Sequence, residues 1–426
     1  MPKSRARSHL PYAPLTLSDA TTISPTQPFG AALLLELDGE EALQGWNVAR
    51  ALLLFASQPS PRGCFPEAIP APWEIALLQS SQRNPFLTPL AVIVGHLRAP
   101  ERMDRGRLCS ACVTFAENAL ERGAVGSALC FMEAAALCWP ENARYAMVAG
   151  RAMKNHGRLH EAERWLRRAI LLSRWFEDWP THVLSTSSFG MLLWTQGVPA
   201  RARKHLHRAR FLARRHHMQV VEGEILHNLL VVATTAGDDH ENVPGYACGA
   251  LDRYLPDHPR LAALAYDLAY YWMTCGHPAR ALPIFGELLR HFEAPSQRLQ
   301  VLAATARAAG ACQKRVIFEE NWRGAFSLVD TAVADVILPV VLIDLGFGAS
   351  HFGDWKRAGE AFTGALFGAQ KFGLAEEAIR AETCIEAVLS QRNPDTLACR
   401  VSREPEDPIS HRFVVALRDL PCASVT

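Results

Sequence analysis

The sequence predicts an all-α protein made of repeated helical hairpins, and three observations carry this prediction. A glycine recurs with small or apolar residues five, nine and twelve positions after it, as in Gly157 followed by Ala162, Leu166 and Ala169. A small residue stands seven positions before the best-matched glycines, and successive glycines are 34 to 43 residues apart. Glycine permits the left-handed turn that ends a helix, and alanines let a second helix lie close against the first.

Five units follow this pattern closely and two are degenerate. The five closely matched units have their predicted turns at Gly123, Gly157, Gly197, Gly276 and Gly353. The degenerate units have predicted turns at Gly237, where the second helix carries an insertion, and at Gly310, where the second helix lacks the alanines. A single hairpin cannot bury its own apolar face, so the units are expected to stack into one array.

The unit resembles the tetratricopeptide repeat (TPR), and the match covers residues 108–372. Its spacing near 40 residues exceeds the usual repeat of about 34 residues. In this respect it is similar to bacterial regulators and to peptide-binding TPR adaptors. The resemblance implies a right-handed α-solenoid of about seven hairpins, whose first helices, the A helices, line a concave groove that holds a partner.

The flanks of the array show no repeat. Residues 1–30 are predicted to be a flexible tail, residues 31–107 a helical N-terminal cap or small module, and residues 373–426 a C-terminal capping helix with a tail. A last short helix is expected near residues 413–417. Terminal units of a repeat array are atypical because one of their faces meets water.

Composition narrows the class of protein. The 426 residues are 49% hydrophobic and carry a net charge of +1, which indicates a folded chain. The longest apolar run, residues 336–343, is far shorter than the roughly 20 residues of a spanning helix, and residues 1–30 lack the apolar core of a signal peptide. The eleven cysteines form no disulfide framework. We therefore predict a soluble protein of the reducing cytoplasm.

Residues 199–217 are strongly basic although the chain as a whole is nearly neutral. In the repeat register they form the second helix of the third unit, with Ala202, Leu206, Ala209 and Ala213 as its apolar stripe. The other faces form a basic patch of Arg203, Lys204, Arg208, Arg210, Arg214 and Arg215. Two interpretations stay open: the patch pairs with acids of the next unit, or it binds an acidic partner, protein or nucleic acid.

The resemblance also implies which residues face the groove. They are Arg151, Lys154, Met191, Trp194, His227, Tyr266, Tyr270, Met273 and Phe347, with Arg307 and His351 in the same register. The family's carboxylate clamp is not reproduced, because Asn228 has the right residue type but its partners are missing. A groove with a basic end and an aromatic middle suits a peptide or helix with an acidic end and an apolar body. Aromatic residues at helical spacing also pack in cores, so that interpretation stays open.

Motifs for catalysis or for a metal are incomplete in this sequence. Cys109 and Cys112 lack the second pair that a structural zinc site needs, and the HEAER segment at His160 lacks a second histidine. The GFGAS segment at Gly346 falls inside an A helix rather than in a strand–turn–helix. We expect no enzyme activity and neither a cofactor nor a metal.

The sequence therefore predicts a protein-interaction scaffold or adaptor that binds a partner peptide or helix. One alternative is a regulatory TPR protein that senses a peptide or a small ligand. This alternative is weakened because residues 31–100 show no DNA-binding module. Another is a subunit of a nucleic-acid-associated complex that uses the basic patch. The oligomeric state stays open.

Overall fold

A computed structural model describes residues 30–56, 71–99, 102–236, 239–329, 336–395 and 407–421. These ranges contain twenty α-helices, two short 3-10 helices and no β-strand, in agreement with the all-α prediction. None of the described helices combines the length and the apolarity that crossing a bilayer requires. The chain divides into two compact units, Met1–His217 and Met218–Thr426. The tail predicted at the N-terminus falls, up to residue 29, outside the described residues.

The first unit is a stack of hairpins with further helices at its start. Its described helices are α1 (Ala31–Glu36), α2 (Gly39–Ala56), α3 (Ala71–Arg83), α4 (Thr88–Arg98), α5 (Arg105–Glu121), α6 (Val125–Cys138), α7 (Ala143–Asn155), α8 (Leu159–Trp175), α9 (Trp179–Thr195) and α10 (Pro199–Arg215). From α5 onward each helix packs against the next one along the chain. Helices α1 and α2 pack against α6, and α4 packs against α5, so they cover the beginning of the stack.

The second unit continues the alternation of A helices and second helices. Its described helices are α11 (Gln219–Ala236), α12 (Val243–Leu251), α13 (Leu261–Thr274), α14 (Pro278–Leu288), α15 (Pro295–Ala311), α16 (Arg315–Val329), α17 (Leu338–Ser350), α18 (Trp355–Phe372), α19 (Ala375–Leu389) and α20 (Pro408–Asp419). The expected last helix is thus present and longer than predicted. It folds back onto α14, where the Arg418 guanidinium donates to Glu287 Oε1 over 3.0 and 2.8 Å.

The turn glycines adopt the conformation that the repeat requires. The five closely matched glycines, from Gly123 to Gly353, all have φ between 68° and 84°. Residues at the predicted offsets are buried, as Ala162, Leu166 and Ala169 show with no exposed surface. The helical hairpins predicted from these five glycines are therefore confirmed.

In the sixth unit the predicted turn is wrong by three residues. Gly310 lies inside α15. A Cβ at that position would lie 2.6 Å from the carbonyl oxygen of Gly348 on α17. The turn residue is Gln313, with φ of 57°, and counting from it places Phe318, Trp322 and Ala325 at the three buried offsets. Gly310 is a glycine because two backbones approach closely, not because the chain turns there.

In the fourth unit the predicted turn residue Gly237 falls outside the described residues. The second helix of this unit, α12, is only nine residues long. Val243, Ala247 and Ala250 are nevertheless fully buried along it. The insertion predicted from the sequence therefore shortens this helix but preserves its packing stripe.

Each hairpin closes where a small residue of the A helix faces a large residue of the second helix. Gly150 faces Leu166, and Gly346 faces Phe362. A Cβ added at these two glycines would lie 2.8 and 2.5 Å from the facing side chain. Because real side chains do not approach so closely, any larger residue forces the two helices apart.

We expect Gly346→Ala to lower the free energy of unfolding by about 1 to 3 kcal/mol, because the new methyl group overlaps the Phe362 ring. Gly286→Ala is the matched control, since this helical glycine has no atom within 4 Å of its Cβ position. The control is expected to be neutral or stabilising, because alanine favours helix more than glycine does. Denaturant unfolding of both variants checks the difference, and equal stabilities contradict it.

A buried acid in the first unit gives a second prediction. Burial raises the pKa of Glu133 to about 7, against the hydrogen bond that Trp165 Nε1 donates to its carboxyl group over 3.2 Å. The folded state therefore holds a proton that the unfolded chain releases, and stability falls as the pH rises from about 4.5 to about 7. Glu133→Gln should exceed the wild type by about 3 kcal/mol at pH 8 and match it near pH 4. Urea unfolding at both pH values measures this, and an equal gain at both contradicts it.

Candidate ligand-binding groove in the second unit

The A helices of the second unit contact one another in order along the stack. Helix α13 packs against α11 and α15, and α17 packs against α15 and α19. Side chains from successive A helices can therefore meet, as the resemblance to TPR arrays implied. A buried polar cluster forms where α15, α17 and the segment after α19 come together.

Arg307 is the centre of this cluster. Its side chain is only 4% exposed, and its Nη1 donates to Asp344 Oδ1 on α17 over 2.8 Å. Its Nε and Nη2 donate to the two oxygens of Asp395 over 2.9 and 3.0 Å. The Phe347 ring lies 4.4 Å from the guanidinium carbon. A buried arginine is stable only with such complete pairing, so both carboxylates are needed here.

Asp395 reaches Arg307 from the short segment Gln391–Asp395, which follows α19 and begins with a left-handed turn at Gln391, where φ is 52°. Asn393 Oδ1 accepts from the backbone N–H of Asp395 over 2.9 Å, and Asn393 Nδ2 donates to His351 Nδ1 over 3.1 Å. Since His351 Nδ1 accepts, its other nitrogen Nε2 carries a proton and donates to Asp395 over 3.2 Å. The segment is therefore held against α15 and the end of α17 by the side chains of Asn393 and Asp395.

The charged groups of the cluster shift one another's pKa values and that of the nearby Tyr270. Burial by itself raises the pKa of Asp395, but hydrogen bonds from His351 and Arg307 outweigh burial and lower the pKa to about 2. The charge of Asp344, assisted by burial, raises the pKa of Tyr270 to about 12. Burial disfavours the Arg307 cation, yet the two carboxylates outweigh burial and raise its pKa. Burial raises the pKa of Asp344, in opposition to the charge of Arg307, so Asp395 and Arg307 form the ionised pair of the cluster at neutral pH.

A pocket of about 330 Å³ opens beside Asp395. It is lined by Arg307, Phe347, Arg380, Thr383, Cys384, Ala387, Pro394 and Asp395. Arg380 is exposed on α19, with its guanidinium carbon 5.3 Å from the Phe347 ring. Within the described ranges, no carboxylate lies within ion-pair distance of Arg380. The pocket thus offers a cation next to apolar walls, which suits a carboxylate on an apolar stem.

A second polar cluster lies at the α11 end of the unit. His227 Nε2 is 2.7 Å from Asp267 Oδ2, and His227 Nδ1 is 3.2 Å from the Tyr254 hydroxyl oxygen. Burial lowers the pKa of His227, in opposition to Asp267, so the ring favours its neutral form. Next to it Tyr266 and Tyr270 stack with their ring centroids 5.9 Å apart.

The structure places the predicted groove residues of this unit in different environments. Met273 has no exposed surface and His227 is 1% exposed, so both side chains are buried in this structure, and their role in binding stays a prediction. The helical register puts them on the side of the A helix that packs against neighbours. Tyr266 and Tyr270 are partly exposed, and Phe347 lies beneath the Arg307 and Arg380 cations.

Three residues around Arg307 were not predicted from the sequence, namely Asp344, Arg380 and Asp395. Asp344 had a signal, because it is the only charged residue in the apolar helix α17. Arg380 and Asp395 had none, because one lies on the helix interpreted as a cap and the other on a segment interpreted as tail. The packing of α19 on α17 brings Arg380 to the Phe347 ring, and the segment after α19 brings Asp395 to Arg307.

The predicted groove residues of the first unit lie on α7 and α9. Arg151 is exposed, and Lys154, Met191 and Trp194 are partly exposed. Lys154 and Trp194 already have interaction partners. Their role in binding stays a prediction.

The basic helix α10 packs as predicted. Ala202, Leu206, Ala209 and Ala213 are completely buried. Lys204, Arg208, Arg214 and Arg215 are exposed, whereas Arg203 and Arg210 are partly buried. Arg203, Arg210 and Arg214 each have an interaction partner. The patch is therefore divided into an engaged side and an exposed side.

Two of the incomplete catalytic or metal-binding motifs lie inside packed helices. Cys109 and Cys112 are buried, and burial raises the pKa of the Cys109 thiol to about 12, which keeps it protonated. The GFGAS segment lies within α17. In the part of the chain that the structure describes, no three metal-ligating residues cluster together.

We expect Asp395→Asn to lower the free energy of unfolding by about 2 kcal/mol at pH 7, because the pKa of this carboxyl group is about 2 in the folded chain. A lowered pKa contributes stability above about pH 4, and that contribution disappears as the pH falls towards 2. The gap between wild type and variant should therefore close in acid, as measured by denaturant unfolding at pH 7 and pH 3. The exposed Asp257→Asn is the control, and a gap unchanged at pH 3 contradicts the assignment.

No protein-family model and no curated protein matches the chain. Among solved structures, the TPR domain of P58(IPK) aligns with 81% of this chain and 97% of its own, at 11% identity and a TM-score of 0.23. The fold is therefore identified by the hairpins themselves, with their left-handed turn glycines and their buried small-residue stripes. On these features the chain is a TPR-like, all-α protein.

Proposed function

We propose that this chain is a protein-interaction adaptor whose second unit binds an extended acidic segment of a partner protein. The carboxylate of that segment binds in the pocket between Arg307 and Arg380. The observation that carries the proposal is the position of Asp395, whose carboxylate lies against the A helices on Arg307 and His351 in the segment that follows α19.

The chemistry of the pocket supports a peptide carboxylate. Two guanidinium groups flank the face of Phe347, at 4.4 and 5.3 Å, and only that of Arg307 is paired with carboxylates of the described residues. Charge-assisted hydrogen bonds to guanidinium are stronger than neutral ones in a partly dry site. The stacked Tyr266 and Tyr270 extend the surface towards α11, where an apolar part of the partner would pack.

The proposal also gives the chain's own segment a role. Because Asp395 occupies the inner end of the site, an incoming acidic segment competes with it or binds beside it at Arg380. In either case the partner's affinity depends on how firmly Gln391–Asp395 is held. The proposal requires no catalytic step.

The test is binding of short synthetic peptides to the full chain, measured by fluorescence anisotropy. The probes carry the sequence Asn-Pro-Asp, with the aspartate replaced by asparagine in a matched neutral peptide. We expect Asp395→Ala to bind the acidic probe about tenfold more tightly than wild type, because the internal competitor is gone. Adding Arg380→Ala to that variant should remove about tenfold in affinity, and Arg323→Ala, an exposed arginine on α16, is the charge-matched control.

The proposal fails if the acidic and neutral probes bind Asp395→Ala equally, or if Arg323→Ala weakens binding as much as Arg380→Ala does. Circular dichroism of each variant separates loss of binding from loss of fold. Arg380 is exposed, so its replacement is expected to leave the hairpins intact.

A further inference from the structure

The exposed side of the basic helix α10 is a regular stripe. Arg201, Lys204, Arg208, Phe211 and Arg215 follow one another at intervals of three and four residues and are all exposed. The stripe runs for about 20 Å along the helix, at about 1.5 Å per residue. In the described part of the chain, no carboxylate lies within ion-pair distance of its four basic residues. It is thus separate from Arg203, Arg210 and Arg214, which have partners.

The end of helix α8 lies next to this stripe. Helix α9 packs against both α8 and α10. His182 of α9 lies with its Nδ1 3.2 Å from the carbonyl oxygen of Ile170 on α8. Burial, and then the charges of Arg208 and Arg174, lower the pKa of this same histidine. Trp179, at the start of α9 just after α8, stacks on His216 at the end of α10 with the ring centroids 4.8 Å apart, so the C-terminal ends of α8 and α10 lie close together.

Large apolar side chains are exposed among these cations. Phe211 is 64% exposed in the middle of the stripe, and Trp175 and Phe176 at the end of α8 are 50% and 52% exposed. Buried packing does not explain three exposed aromatic rings on two helices that both pack against α9. Aromatic rings among arginines are the pattern on which unpaired bases stack while the cations contact phosphates.

The surface is almost free of opposing charge. No acid occurs on α9 or α10. Of the acids on α8 and in the turn after it, Glu163 pairs with Arg167 over 2.7 Å and Asp178 accepts from the backbone N–H of Thr181. Glu161 lies at the far end of α8, and only Glu177 is exposed near the aromatic residues.

We infer that this face of the first unit binds single-stranded nucleic acid. Arg201, Lys204, Arg208 and Arg215 contact phosphates, while Phe211 and Trp175 stack on bases. A duplex keeps its bases paired and does not use the exposed rings, whereas the unpaired bases of a single strand can stack on them. This activity is independent of the groove in the second unit.

The test is fluorescence anisotropy of the full chain with a labelled oligothymidine of about 15 nucleotides. We expect a linear fall of log K with log salt concentration, with a slope near −2 to −3 for three or four phosphate contacts. Replacing Arg201, Lys204 and Arg208 by Ala should cost at least tenfold in affinity and flatten the slope. The control replaces Arg323, Lys356 and Lys371 by Ala, three exposed cations of the second unit, and should change neither.

Replacing Phe211 and Trp175 by Ala separates stacking from charge. It should cost about tenfold in affinity for the single strand and leave the salt slope unchanged. The inference is overturned if the two triple variants bind alike, if a duplex of the same length binds as tightly as the single strand, or if the aromatic variant binds like wild type. Unchanged helicity of the variants by circular dichroism excludes misfolding as the cause.

Discussion

The close approach of each A helix to its second helix is the constraint on which the rest of this structure depends. At Gly150 and Gly346 the facing side chain occupies the volume that a Cβ would need. Helices held this close leave little room between them, so the large residue of one packs over the small residue of the other. The hairpin then presents a flat apolar side to the next hairpin, and the A helices of successive hairpins meet. The Arg307 cluster exists only because α15 and α17 are brought together in this way, with Gly310 against Gly348.

The close packing of α15 against α17 buries the charged side chain of Arg307 away from water. Arg307 is buried on its A helix, and a buried guanidinium without carboxylates is strongly destabilising. Asp344 supplies one carboxylate from the repeat itself. The other comes from Asp395, outside the repeat, so a segment after α19 completes the pairing of Arg307. If the proposed carboxylate site is correct, the strength of this internal contact sets the affinity for the partner that replaces it.

In the second unit the charges of the Arg307 cluster are buried and paired, whereas in the first unit the charges of α10 lie around a buried alanine stripe. The alanine stripe determines which side of α10 is buried, so the basic residues lie on the other sides of the helix. One part of that circumference is engaged, at Arg203, Arg210 and Arg214, and another part is exposed together with Phe211. Because successive residues of a helix are rotated by about 100°, one helix can bury one face and leave another in solvent.

The sequence by itself determined the hairpins, because their turns and their packing are local. A left-handed turn favours glycine, and a tight contact between two helices favours alanine. Both preferences arise within one hairpin, between residues no more than about twenty positions apart, so the same residues recur with the period of the repeat. Where glycine served a contact with another hairpin, as at Gly310, the same rule misplaced the turn. The register also put Arg307, His351 and Phe347 on one surface, but it put the buried Met273 and His227 there too. Only the tertiary structure decided which of these meet, because Asp395 reaches Arg307 from a segment after α19 that carries no periodic signal.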